Sequence, residues 1–327
     1  MGTYRLLLAV AVALSHMNVR VFNEHNPGVV AVISFFLISG FVMTGLVRTH
    51  YAQYRDVPAF YLDRMARIFP QYLLFLALTA ICHAYLNFNS SFLRRASLIG
   101  VLSNISAIPL DLYMFSDKIE QFTFIPQAWS LGLELMFYLC FPLIMVSGAR
   151  TPAFIASALF WLVAAFRVID PDIWGYRLLP GTLFVFLLGA FIYDDRKPTP
   201  RHPAVILFVA LAVCAVLLRS LGKLDPLPNT SQYTWEVLVG TLFGIPMLFV
   251  LCRVARRRWD DWFGNLSYGV FLCHYLVIWL FDSFGIEQDL PAKVCMIALC
   301  VALAGLGYVL VEHPVLLWRH RLREASS

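Results

Sequence analysis

A histidine and an arginine lie in the otherwise apolar residues 4–21 near the start of the chain. Arg5 and His16 are eleven residues apart, and at about 100° per residue this spacing brings both side chains to one face of a helix. The rise between them is roughly 16 Å, about half the hydrocarbon thickness of a bilayer. Ionisable groups in such a helix are costly and therefore are candidates for function. His16 could act as a general base, or it could simply form a hydrogen bond in helix packing.

A second polar stripe lies in the apolar residues 128–141, where Ser130, Glu134 and Tyr138 recur every four residues. This spacing places the three side chains on one helix face. A carboxylate inside a membrane needs a partner, and a carboxylate beside His16 would raise the basicity of the imidazole and fix its tautomer. We therefore predict that Glu134 orients His16. The alternative is that the stripe forms a structural network of buried hydrogen bonds.

Two arginines, Arg64 and Arg67, are three residues apart and are predicted to be neighbours on a short helix that ends before Pro70. Adjacent guanidinium groups suit a phosphate, because each offers a forked set of donors. The alternative is ordinary positive charge at a membrane edge.

Other polar residues in apolar spans carry weaker signals. The Ser39-Gly40 pair predicts close backbone approach to a neighbour or a ligand. His274 lies in a late span between aromatic residues, and Glu312 closes the last span. Each alone is more typical of a structural role. The seven cysteines are scattered through apolar runs without CxxC pairs, so neither a metal site nor a disulfide framework is expected.

The composition places these residues in a membrane protein, because 60% of the 327 residues are hydrophobic and only 14% are charged. Basic residues lie between apolar spans, which indicates membrane topology and not nucleic-acid binding. We predict an all-α fold: a polytopic bundle of about ten transmembrane helices, forming one domain over residues 1–327 with no appended soluble domain. The spans are expected near residues 4–22, 28–48, 70–87, 126–147, 152–168, 178–194, 203–221, 235–254, 266–283 and 292–312.

The distribution of charge predicts the topology. An even number of spans puts both termini on one side, and most of the 25 Lys and Arg residues fall on that side, so both termini are expected to be cytoplasmic. The first span is expected to be a retained helix and not a signal peptide. Residues 97–110 are apolar but too short to cross, and they are expected to lie at the interface or to re-enter. A transporter or flippase with a His–Glu proton relay is the main alternative function, although the chain shows no internal repeat.

Taken together and in order, these motifs resemble the acyltransferase-3 family of integral membrane acyltransferases. The resemblance rests on the following residues: Arg5-x10-His16; Phe35-Phe36-x-x-Ser39-Gly40-Phe41; Arg64-x-x-Arg67-Ile68-x-Pro70-x-Tyr72; Trp129-Ser130-Leu131-x-x-Glu134-x-x-Phe137-Tyr138; Ser267-Tyr268-x-x-Phe271-x-x-His274; and Glu312-x-Pro314.

The resemblance implies transfer of an acyl group, usually acetyl, from acyl-CoA to a hydroxyl of a surface saccharide or lipid-linked glycan, in the inner membrane and without a metal. His16 is then expected to be catalytic, with Glu134 as its partner. The donor site is expected to include Arg5, Arg64, Arg67, Ser39 and Tyr72. The substrate site is expected to include Trp129, Ser130, Tyr138 and His274. Direct transfer and an acyl-histidine intermediate both remain open.

Overall fold

Twelve α-helices make up most of the computed structural model, which describes residues 1–20, 25–195, 203–224, 233–255 and 257–317. The described residues form no named strand. In chain order the helices are α1 Gly2–His16, α2 Pro27–His50, α3 Val57–Leu86, α4 Leu98–Ser106, α5 Asp117–Glu120, α6 Trp129–Val146, α7 Arg150–Ala165, α8 Leu179–Asp195, α9 Pro203–Ser220, α10 Thr234–Leu251, α11 Arg258–Ser283 and α12 Leu290–Gly307.

The predicted polytopic all-α membrane fold is confirmed. Within the described residues, seven helical stretches are long and apolar enough to cross a bilayer, and three further apolar helices are shorter. The shorter three are Gly2–His16, Arg150–Ala165 and Ala210–Ser220. Each of the ten predicted spans overlaps one of these ten helices, so the length of an apolar run was sufficient to locate them.

The chain divides into two compact units. Unit 1 contains Met1–Val19, Pro58–Leu135 and Arg256–Ser327, and unit 2 contains Arg20–Val57 and Met136–Ala255. In unit 1, α1 packs along α11 with both helices running in the same direction. Two contacts fix this register: the Thr3 N–H donates to Asp260 Oδ1 at 2.8 Å, and His16 meets His274 at the other end of α1. Parallel packing therefore positions the last residue of α1 against the middle of α11.

In unit 2, α2 is the helix against which α8 and α10 pack. A Cβ at Gly40 would lie only 1.7 Å from the Phe186 carbonyl oxygen of α8, so the two backbones touch there. A Cβ at Gly240 of α10 would likewise lie 2.9 Å from the side chain of Ile33. Such contacts at small residues are typical of helices that associate in a membrane. The predicted close approach at Ser39-Gly40 is confirmed.

Two features of the helices near the candidate site differ from the predictions. The first helix ends at His16, and Asn18 follows with a φ of +60°, so His16 is a C-terminal residue of α1 and not a mid-helix one. The predicted helix end before Pro70 is wrong, because α3 begins at Val57 and continues through Pro70 to Leu86. Proline removes one backbone hydrogen bond, a loss that the long apolar helix tolerates. The predicted non-crossing segment forms α4, which has nine residues.

Candidate active site

The candidate catalytic residue His16 forms a pair with His274 inside unit 1. His16 Nδ1 lies 2.9 Å from His274 Nε2, and the two rings are within 8° of being parallel. The ring centroids are 5.0 Å apart. This separation is close to the sum of the N–N distance and the two centroid-to-nitrogen distances, so the two centroids and the two nitrogens lie almost on one line. The imidazoles therefore meet edge to edge through a hydrogen bond and are not stacked face to face.

The surroundings of His274 determine which nitrogen of His16 carries a proton. His274 is fully buried, and its Nδ1 lies 3.3 Å from the Val270 carbonyl oxygen one turn earlier on α11. A carbonyl oxygen only accepts, so His274 Nδ1 donates and its Nε2 is left as an acceptor. His274 Nε2 then accepts from the Nδ1–H of His16. The Nε2 of neutral His16 consequently keeps its lone pair, which is the form that a general base or a nucleophile requires.

Two neighbours hold this histidine pair in place. Tyr275 packs against both rings, with centroid distances of 4.9 Å to His16 and 5.3 Å to His274. Gln127, which is buried just before α6, donates from Nε2 to the carbonyl oxygens of Phe271 (2.7 Å) and Leu272 (2.9 Å) on α11. These contacts fix the stretch of α11 from which His274 projects.

Both predicted phosphate-binding arginines are paired with carboxylates. Arg64 and Asp63 are buried, and the Arg64 Nε–H donates to Asp63 at 3.1 Å. Arg67 Nη1 lies 2.5 Å from Oε1 of Glu312, whose side chain is only 3% exposed. The Arg67 guanidinium has five N–H donors and a carboxylate engages at most two of them in a forked contact, so other donors of Arg67 can serve a further anion.

Tyr268 of α11 contacts the arginine end of this site. Arg67 lies over the Tyr268 ring at 5.7 Å from its centroid, and the Tyr268 hydroxyl donates to the Ile68 carbonyl oxygen at 3.1 Å. Glu134 is half-buried. The predicted contact between His16 and Glu134 stays a prediction.

The remaining predicted residues of unit 1 have structural partners. Tyr72 is fully buried, and its hydroxyl donates to the Asn104 carbonyl oxygen at 2.5 Å. The Ser130 hydroxyl donates to the Gln127 carbonyl oxygen at 3.2 Å at the start of α6. Trp129 is half-buried at the first position of α6, and Arg5 is half-buried on α1. Their assigned roles in binding stay predictions.

Two predicted site residues belong to unit 2 and contact each other there. The Ser39 hydroxyl lies 3.3 Å from the Tyr138 hydroxyl, and both side chains are buried. Ser39 was expected near the donor and Tyr138 near the other substrate. Their contact places both in one polar pair between α2 and α6.

Sequence reasoning missed the direct partner of His16. His274 was interpreted as a substrate-binding residue, whereas the structure engages both of its ring nitrogens in protein contacts. It also missed Asp63 and Glu312 as partners of the arginines. The adjacency of Asp63 to Arg64 was a usable signal, but His274 and Glu312 lie too far along the chain for any local pattern to pair them.

Comparisons with known proteins identify the family. A family model described as an acyltransferase domain, acyltransferase-3, matches residues 5–311. A protein of Aquifex aeolicus described as uncharacterized is 29% identical over 209 residues, covering 61% of this chain and 90% of that protein. A "Putative O-acetyltransferase" of Staphylococcus aureus (strain COL) is 24% identical, covering 95% of this chain and 56% of that protein.

The peptidoglycan O-acetyltransferase OatA of Listeria monocytogenes is 22% identical, covering 95% of this chain and 54% of that protein. The chain thus spans little more than half the length of these two O-acetyltransferases. No solved structure matches it. The family model covers the helix that carries His16, both arginines and the helix that carries His274, so the chain belongs to the acyltransferase-3 family.

Proposed function

We propose that this protein transfers an acetyl group from acetyl-CoA to a hydroxyl of a cell-surface or lipid-linked saccharide. Membership of an acyltransferase family supports the transfer of an acyl group. The names of two relatives, an O-acetyltransferase and a peptidoglycan O-acetyltransferase, support a saccharide hydroxyl as the acceptor. The acyl-CoA donor is our own assignment and rests on the arginines of α3.

One observation carries the assignment of His16 as the catalytic base. The hydrogen-bond chain from the Val270 carbonyl through His274 to His16 Nδ1 leaves His16 Nε2 unprotonated in the neutral pair. The ring is half-buried and belongs to the last residue of α1. Glu134 would also orient His16, as the sequence predicts.

The reaction follows from that lone pair. His16 Nε2 removes the proton of the acceptor hydroxyl as its oxygen attacks the thioester carbonyl carbon. The new C–O bond forms, the C–S bond breaks, and the CoA thiolate leaves. The imidazolium then returns the proton to the thiolate, so atoms and charge balance. An acyl-histidine route would use the same Nε2 as nucleophile before the acceptor enters.

The donor is assigned to the arginine end of the site. Arg64 and Arg67 would hold phosphate groups through their guanidinium groups, which lie one turn apart on α3. Arg5 lies on the same helix as His16 at a rise of roughly 16 Å, and the extended arm of an acyl-CoA can bridge a gap of that length. The nucleotide would then remain at one membrane face while the thioester reaches His16.

The positive-inside pattern supports a cytoplasmic position for the arginine end and for both termini, in an inner membrane. Acyl-CoA is made in the cytoplasm, which agrees with a donor site on that side. The acceptor would meet His16 from deeper in the membrane or from the opposite face.

Incubation of the purified protein with acetyl-CoA labelled in the acetyl group tests this function. Oligomers of N-acetylglucosamine are a suitable acceptor probe. We expect release of free CoA thiol together with label in the oligosaccharide or, without acceptor, slow release of labelled acetate. Absence of CoA release under both conditions would contradict an acyl-CoA donor. Saccharide movement across proteoliposomes without CoA release would favour the transporter alternative.

A further inference from the structure

A partly open crevice lies beside the Arg67–Glu312 pair in unit 1. It is narrow, with about 180 Å³ of space between atoms when the solvent at its mouth is included, and its polar lining comes from Arg67, Gln71 and Glu312. Apolar lining is added by Val315 and Leu316, which lie near the end of the last membrane-length helical stretch, Leu290–Leu317. The helix that brings Glu312 here contains a π-helical stretch, Tyr308–Glu312. Single π-turns within helices frequently occur at functional sites.

Gln71 is the unexplained polar group of this crevice. Its side chain is fully buried, and neither Nε2 nor Oε1 has a hydrogen-bond partner among the described residues. An unsatisfied buried polar group destabilises the folded protein, and a carboxamide with both ends unpaired does so twice. Buried carboxamides in folded proteins normally pair with protein, water or ligand.

Two glycines of neighbouring helices pack against the side-chain amide of Gln71. A Cβ at Gly269 of α11 would lie 2.9 Å from Gln71 Nε2, and one at Gly307 of α12 would lie 3.3 Å from it. Two glycines on two helices thus make room for a side chain that no described residue engages. Gln71 also lies one turn after Arg67 on α3, at a rise of roughly 6 Å.

We propose that Gln71 recognises an amide of the pantetheine arm of CoA through a reciprocal pair of hydrogen bonds. This inference rests on the proposed acyl-CoA donor. A secondary amide offers one N–H donor and one carbonyl acceptor, which complement the buried, unpaired Oε1 and Nε2 of Gln71. An arm that leaves a phosphate held by Arg67 passes Gln71 within the next helical turn. Gln71 would therefore be a positioning residue that selects for the arm and not for the nucleotide.

Binding measurements with two ligands test this inference. CoA carries the arm, whereas adenosine 3′,5′-bisphosphate carries only the nucleotide. Titration calorimetry on the purified protein should show that Gln71→Met raises the Kd for CoA by about tenfold, as expected from loss of two hydrogen bonds. Gln71→Asn, which withdraws the amide by one carbon, should also weaken CoA binding. Neither variant should change the Kd for the bisphosphate.

Controls separate the possible outcomes. Gln288→Met removes an exposed carboxamide that pairs with Asp282, and it should leave both Kd values unchanged. Unchanged CoA affinity in Gln71→Met would overturn the inference, as would equal weakening of both ligands, which would show a purely structural effect. Wild-type protein that binds no CoA would overturn the proposed donor itself. By contrast, if the wild-type protein binds CoA and the Gln71→Met variant binds it equally well, only the role of Gln71 is overturned.

Discussion

Replacement of His274 by leucine tests how the histidine pair prepares the base. In the proposed transition state His16 becomes an imidazolium, and its Nδ1–H donates to His274 Nε2 at 2.9 Å. Leucine fills a similar volume at this fully buried position but removes the acceptor. A hydrogen bond to a charged group contributes about 1.5–3 kcal/mol, so kcat should fall by about 10- to 150-fold. The KM for the donor should change little, because His274 lies away from the arginine end.

Substitution of His274 by glutamine provides the decisive comparison. A glutamine side chain can place its carbonyl oxygen near the former Nε2 position and accept from His16, so His274→Gln should recover most of the lost kcat. His83→Leu is a control for the same substitution elsewhere in unit 1, because His83 is a half-buried histidine packed against Phe88 and Phe124. The assay is initial-rate CoA release at saturating acetyl-CoA. Equal activity of His274→Leu and wild type, or equal loss in the leucine and glutamine variants, would refute the reasoning.

Two further predictions concern the arginine end and the helix packing. Arg67→Ala should raise the KM for acetyl-CoA, because a phosphate contact is lost. It should also lower the free energy of unfolding by on the order of 3 kcal/mol, because Glu312 is left buried without its main counterion. The double variant Arg67→Ala/Glu312→Ala should recover the thermal midpoint but not the KM. Loss of kcat alone, with an unchanged KM, would contradict a donor role for Arg67. Gly40→Ala should greatly reduce the yield of folded protein, since the new Cβ would lie 1.7 Å from the Phe186 carbonyl oxygen. Gly305→Ala should be tolerated, because its Cβ would meet no atom of the described residues closer than 3.9 Å. Size-exclusion profiles of the two variants in detergent provide the comparison.

The membrane spans were predictable because they depend on local runs of apolar residues. Each of the ten predicted spans corresponds to an apolar helix, although only seven of these helical stretches are long enough, within the described residues, to cross a bilayer. The close approach at Gly40 follows from a small residue in such a run. The helix through Pro70 was missed for a physical reason. A proline ends many soluble helices, but an apolar span keeps its helix because no water is present to satisfy broken backbone hydrogen bonds.

The site was predictable only in part. The sequence indicated His16 as a candidate base, but its hydrogen-bond partner His274 is 258 positions away and depends on the parallel packing of α1 on α11. The same limit applies to the pairing of Glu312 with Arg67. It also applies to the unpaired side-chain amide of Gln71, which can be recognised only once burial and hydrogen-bond partners are known. Residue types thus predicted which groups could react, and tertiary packing determined which nitrogen of His16 does so.

The central claim, that His16 Nε2 is the group that drives acyl transfer, is tested most directly by His16→Ala. The measurement is the rate of label transfer from acetyl-CoA to the acceptor oligosaccharide, with CoA binding measured on the same preparation. We expect transfer to be abolished while membrane expression and CoA affinity remain, because the arginine end is intact. Substantial residual transfer by a folded, CoA-binding His16→Ala protein would contradict the account.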